Sequence, residues 1–230
     1  MNRNQSQTSF WKTMWAIVWK DLTAERRSRE IFSVMLVFSL LVVFISNFAL
    51  DLNPKTQREI TGGMLWITFT FAANLGLNRS MAIEKENNCL DGLLLAPVDR
   101  TTILFGKIIG NMLFILMVEI IMVPLFSIFN NVNLLNPGFL ITLVLGSIGY
   151  VTVGTFLSTI TVQTRTGNLL LPILQFPIVL PVIISAVRAS TFFLQDQPMD
   201  LIWPNLNLII AFNAIYLAAG YILFDYLVEE

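Results

Sequence analysis

Residues 31–50, IFSVMLVFSLLVVFISNFAL, run for twenty positions without one charged side chain. About 20 such residues form a helix long enough to cross the roughly 30 Å hydrocarbon core of a bilayer. No water reaches a backbone inside that core, so the segment must bond to itself as a helix. Comparable runs follow at about 62–78, 103–129, 138–162, 168–188 and 206–224, which predicts six spans. The connections are about 51–61, 79–102, 130–137, 163–167 and 189–205, and only 79–102 and 189–205 have room for local structure. The expected fold class is therefore all-α, a polytopic membrane protein with one transmembrane domain over 1–230. Composition agrees, since 13% of the chain is charged and 55% hydrophobic, against about 25% charged in a soluble domain. A cleaved signal peptide would have a shorter apolar region and a small-residue cleavage site; the 31–50 run is expected to stay in the mature protein.

Ahead of the first span, Trp11, Met14, Trp15, Val18, Trp19 and Leu22 recur at spacings of three and four, one stripe of a helix. Lys12, Lys20, Arg26, Arg27 and Arg29 lie off that stripe. This pattern predicts an interfacial amphipathic helix over 10–29, in contact with membrane lipid; a packing stripe of a soluble helix is the plainer alternative.

Orientation follows from Lys and Arg, which stay on the cytoplasmic side when they are close to spans. One side holds Arg3, Lys12, Lys20, Arg26, Arg27 and Arg29 before the first span, Arg79, Lys85 and Arg100 in 79–102, and Arg165 in 163–167. The other side holds Lys55 and Arg58, with Arg188 at a span boundary, and Lys107 can snorkel to the richer side. Both termini are predicted to be cytoplasmic.

Several chemistries are excluded or made remote. A formal net charge of −1 leaves no basic footprint for nucleic acid. The chain has no histidine and one cysteine, Cys89, so neither a metal cage nor a Cys-His nucleophile is expected. There is no GxxxxGK[ST] phosphate cradle. The chain reads as a non-catalytic subunit, and any ATP it depends on must be hydrolysed elsewhere.

The segment 79–102 contains Glu84, Glu86, Leu90 and Asp91, then Leu93, Leu94 and Leu95, then Pro97, which ends any helix that run forms. A short amphipathic helix of this kind, acids outward and leucines inward, is a docking element for a cytoplasmic protein. The alternative is a solvated acidic loop with its leucines packed on the bundle. The acids, the Leu-acid pair, the leucine run and the following proline resemble the coupling loop of ATP-binding-cassette exporter permeases.

The match narrows with GMLWITF (62–68), LDGLLLAPVDRTTILFGK (90–107) and GNLLLPILQFPIVLPVIISAV (167–187), which resemble the permease subunits of cytochrome c maturation, the haem exporter protein B family. The resemblance covers nearly the whole chain, and the proline-spaced fifth span is its most specific part. One departure falls in the loop, where Asn87, Asn88, Cys89, Leu90 and Asp91 stand in place of an acid followed by Gly-Ser-Leu-Glu; Asn88 can adopt the left-handed turn conformation the glycine would supply. The resemblance implies an ATPase partner on the loop, other maturation membrane proteins, a haem chaperone, and haem as the substrate handled. It leaves open whether haem itself crosses or ATP drives release of the loaded chaperone; the absence of histidine favours the second. Alternatives are an exporter permease for a lipid, polysaccharide or drug, and a membrane scaffold without transport.

Two features need their own account. Pro172, Pro177 and Pro181 fall within ten residues and are expected to kink or partly unwind the fifth span, which must then face the bundle, a path or a partner in a homodimer or hetero-oligomer. Glu119 lies 16 residues past Ile103, about 24 Å along a helix, inside the hydrocarbon layer. It is expected to be protonated, paired, or lining a polar cavity, although a tilt or a kink at Pro124 would bring it nearer an interface. Gly146, Gly149 and Gly154 in the fourth span permit close helix contact.

Overall fold

The computed structural model describes residues 10–49, 54–86, 99–161 and 167–227. Among them are α1 (Phe10–Ser28), α2 (Glu30–Ala49), α3 (Pro54–Glu86), α4 (Arg100–Asn130), α5 (Pro137–Thr161), α6 (Gly167–Leu194) and α7 (Met199–Leu227). Six of these, α2 to α7, are long and apolar enough to cross a membrane. The six expected spans are all present, and several are longer than the apolar runs that announce them.

The largest extension is α3, 33 residues and so about 50 Å long, well beyond the hydrocarbon thickness. Its final turns, Arg79 to Glu86, were expected to be loop because they are polar. They remain helical because the helix projects past the apolar layer to where charge is tolerated. The expected 189–205 connection shrinks in the same way. Helix runs through Leu194 and resumes at Met199, leaving a tight turn in which Asp196 has φ 52° and the Gln197 amide donates to the Phe192 carbonyl at 3.0 Å.

Local chemistry sets the helix ends. Pro54 and Pro137 open α3 and α5, a position where the missing N–H is no loss. Asp99 caps α4, its Oδ1 accepting from the Thr101 amide at 2.9 Å and the Thr101 hydroxyl at 2.7 Å. At the far end Asn131 takes a left-handed conformation, φ 49°. Within the spans, hydroxyls fold back on their own helix: Ser39 donates to the Met35 carbonyl and Thr68 to the Met64 carbonyl, both at 2.8 Å. A hydroxyl in hydrocarbon thereby finds an acceptor without leaving its helix.

The joint between α1 and α2 is a single residue. Arg29 sits at φ 56°, a conformation that costs an L-residue about 1–2 kcal/mol. Glu25 holds it there by reaching over the joint, its carboxylate accepting from the amides of Ile31 at 3.3 Å and Phe32 at 2.8 Å. Those are free donors of the first turn of α2, so Glu25 caps one helix from the end of the one before it.

Helix α1 lies alongside the first turns of α4, with Ile17 against Gly106 and Asp21 against Gly110. Its apolar arc divides. Met14, Ile17 and Val18 are buried, while Trp11, Trp15 and Trp19 remain on the outside. Helix α2 runs antiparallel to α3, with Met35 on Gly76 and Glu30 paired to Arg79.

Helices α3 and α5 are the most enclosed spans, and α2 and α7 lie mostly on the outside. The glycines of α5 serve packing inside the chain, as small residues do in membrane bundles. Trp66 fills the space a side chain at Gly146 would need, and Leu77 and Gln175 do the same at Gly154. The core between them is Leu65, Phe69, Met122, Phe126, Phe139, Val151, Val179 and Val182.

Candidate functional site

Four charged residues meet where α1, α3 and α4 come together. Lys107 donates to Asp21, with its Nζ 3.2 Å from Oδ2, and pairs with Glu84. Lys20 lies 3.0 Å from Asp21 Oδ1 and 3.7 Å from Glu84 Oε1. Lys107 and Glu84 are almost wholly buried, at 3% and 5% exposure. Two bases against two acids make the cluster neutral, and opposite charges in contact are what make buried ions tolerable.

The cluster corrects one expectation. Glu84 does not project as an exposed docking acid; it is withdrawn into the protein because Lys107 and Lys20 supply its counter-charges. Glu86 does remain exposed, and it lies 3.5 Å from Arg79, whose Nε also donates to Glu30 at 2.8 Å. Leu90, Asp91, Leu93, Leu94, Leu95 and Pro97, together with the departures Asn87, Asn88 and Cys89, lie outside the described residues. What is described is how their flanks are held. Glu84 precedes the 87–98 segment by three residues, and Lys107 follows it by nine.

Farther along α4, Glu119 is 2% exposed. It lies 12 residues beyond Lys107, about 18 Å, and 11 residues from the far end of α4, about 16 Å. That is the middle of a span. The Ser147 hydroxyl of α5 donates to Glu119 Oε1, and Oε2 has no partner. Among the described residues no cation reaches it. Nearby, Tyr150 donates to the Thr70 carbonyl at 2.9 Å, and Gln175 Nε2 donates to the Tyr150 carbonyl at 3.3 Å while its Oε1 stays unpartnered. A void of about 10 Å³ lies between Trp66, Phe69, Ala73, Ser147 and Tyr150, about the space of one water. Of the three expected states of Glu119, the structure favours a hydrogen-bonded carboxyl in a packed interior over one lining a wide polar cavity.

The prolines do not unwind the helix that carries them. Helix α6 runs without a break through Pro172, Pro177 and Pro181. Pro177 and Pro181 face outward, Pro172 is half-buried, and the inward face carries Leu171, Gln175, Val179, Val182 and Ala186. A spacing of four puts Pro177 and Pro181 on one side, so the hydrogen bonds those two remove belong to the outer face. Within the chain Glu119 is buried while Pro177 and Pro181 are exposed.

Sequence reasoning passed over Asp21, Ser147 and Gln175. The signals were present: Asp21 is one of two acids in a basic amphipathic helix, and Gln175 is an amide inside an apolar span.

Six spanning helices, a neutral charge cluster at one end and a lone carboxyl at mid-depth define a polytopic α-helical membrane protein. The chain belongs to the family described as CcmB protein, whose profile matches residues 12–222. It is similar to heme exporter protein B of Rhodobacter capsulatus, 29% identical over 174 residues, covering 74% of this chain and 79% of that relative. It is also similar to the proteins of the same name from Paracoccus denitrificans, 27% identical over 76% of this chain and 81% of the relative, and Pseudomonas aeruginosa, 25% identical over 77% and 81%.

Proposed function

We propose that this chain is the membrane subunit of an ATP-driven haem export system of c-type cytochrome biogenesis, a single multi-pass transmembrane domain in a bacterial inner membrane with both termini in the cytoplasm. Family membership and the names of its relatives support the process; the distribution of Lys and Arg supports the orientation. ATP is hydrolysed by a separate ATP-binding-cassette subunit seated on 79–102, with Leu90, Asp91, Leu93, Leu94, Leu95 and Pro97 as the contact surface and Glu86 at its edge. The chain itself is non-catalytic.

The observation that carries this reading is the Lys20, Asp21, Glu84 and Lys107 cluster. It ties the helix entering the 87–98 segment to the helix leaving it, and both to α1. Docking on a free loop would move only the loop; docking on a segment anchored this way moves the bundle. The outward Pro177 and Pro181 support assembly with a second membrane subunit, identical or not. Each proline leaves a carbonyl four residues back without its donor, and such carbonyls are costly against lipid. Haem handling then takes place with other maturation membrane proteins and a haem chaperone across the membrane, and with no histidine in the chain ATP-driven chaperone release is favoured over a tight haem site here.

The test is Leu94→Asp, with the complex purified gently from native membranes. Membrane insertion should be retained and ATPase co-purification lost. Full retention of the ATPase by the variant overturns the docking assignment. An ATPase recovered from the unaltered complex without haem or maturation partners turns the reading toward an exporter of another substrate.

A further inference from the structure

A cavity of about 600 Å³ opens at the joint of α1 and α2, lined by none of the residues of the two sites described above. Its walls are apolar: Trp19 and Leu22 of α1, Phe32 of α2, and Phe114 and Met117 of α4. Its polar end is formed by Arg26 and Arg29, both exposed, and neither has an ion-pair partner among the described residues. The acids nearby are otherwise engaged. Glu25 lines the cavity, but its carboxylate is turned to the amides of Ile31 and Phe32; Glu30 is paired with Arg79, and Asp21 with Lys20 and Lys107. Two guanidinium groups without an ion-pair partner, against the one carboxylate of Glu25, are thus left over an apolar pocket.

Depth decides what such a pocket suits. Arg29 stands two positions before the uncharged run that begins at Ile31, which places the cationic end where headgroups give way to hydrocarbon. Phe114 and Met117 lie farther into the spanning part of α4. The pocket therefore runs from a pair of cations at headgroup level to aromatic and thioether walls below it. That is the polarity profile of an anionic amphiphile standing in the leaflet. Guanidinium forks match phosphate oxygens with two parallel donors.

We propose that this cavity holds one acidic phospholipid, its phosphate between Arg26 and Arg29 and the upper part of its chains against Phe32, Phe114 and Met117. Such a lipid would fill the angle between α1 and α2 that protein leaves open, and would tie the position of α1 to the composition of the membrane.

The test is lipid retention by the full chain, in the complex it purifies with, measured by native mass spectrometry against added phosphatidylglycerol or phosphatidylcholine. One phosphatidylglycerol should be retained in preference to phosphatidylcholine. Since each basic residue near an anionic surface contributes about 1 kcal/mol, Arg26→Gln with Arg29→Gln should weaken retention roughly 30-fold. Arg27→Gln removes the same charge from the same helix but does not line the cavity, and it should keep the lipid. Met117→Trp, which narrows the pocket and leaves the arginines in place, should lower retention of both lipids. Equal retention of the two lipids, an unchanged double variant, or a loss as large in Arg27→Gln overturns the proposal.

Discussion

Lys107 and Glu119 lie on the same helix, about 18 Å apart, and both are almost completely buried. Their surroundings differ in kind. Lys107 sits at the end of the bundle among two acids and another base, and each charge there faces its opposite. Glu119 sits at mid-span with one hydroxyl for a partner and one oxygen with none. Burial alone therefore says little about what a polar group does in this protein. At the membrane face a buried ion has been matched, and it holds helices together. In the middle it has not been matched, and stability gives no reason for the acid to be there. Unmatched ionisable groups inside membranes are functional candidates by default, and we propose Glu119 as one.

The comparison can be broken most readily at its matched end. Lys107→Met leaves two acids facing Lys20 alone, and removing one partner from a buried pair costs about 3–5 kcal/mol. A large fall in the melting temperature of the purified protein should result. Adding Glu84→Gln to that variant removes the stranded charge and should recover part of the loss. A double variant no better than the single one would show that the cluster does not act as a pair. At mid-span Ser147→Ala strips Glu119 of its donor, and leaving a buried polar group unsatisfied costs about 1–3 kcal/mol. The smallest effect is expected from Glu119→Gln. The amide keeps the oxygen that accepts from Ser147, so stability measured by thermal unfolding should move by less than about 1 kcal/mol, while cytochrome c maturation in cells falls. A loss of stability as large as that of Lys107→Met would mean that the two regions are the same kind of site.

The architecture was largely legible because hydrocarbon imposes one rule along the chain. A run such as 31–50 can satisfy its backbone only as a helix, and α2 follows that run almost residue for residue. What was illegible began where the rule stops. Residues 79–86 are polar and read as loop, yet they continue α3. The burial of Glu84 depends on Lys20 and Lys107, which are distant in sequence and meet it only through packing. The direction in which Pro177 and Pro181 point depended on which side of α6 the bundle would occupy, and periodicity in an almost wholly apolar helix does not reveal that. Glu119 was visible as an anomaly, but its partner Ser147 looks like any other hydroxyl in a span.

The length of α3 has a mechanical consequence. It is one uninterrupted rod from Pro54 to Glu86, and at its far end Gln57 donates to Asn130, at 3.4 Å, on the last turn of α4. The same two helices are joined at the near end through Glu84 and Lys107. Two rods pinned at both ends behave as a truss. Tilt of α3 at its Glu86 end therefore carries to the opposite end of the pair, and Pro124, inside α4, is a point between the pins where a helix can bend. The stroke available at that opposite end is set by how far the two pins can shear.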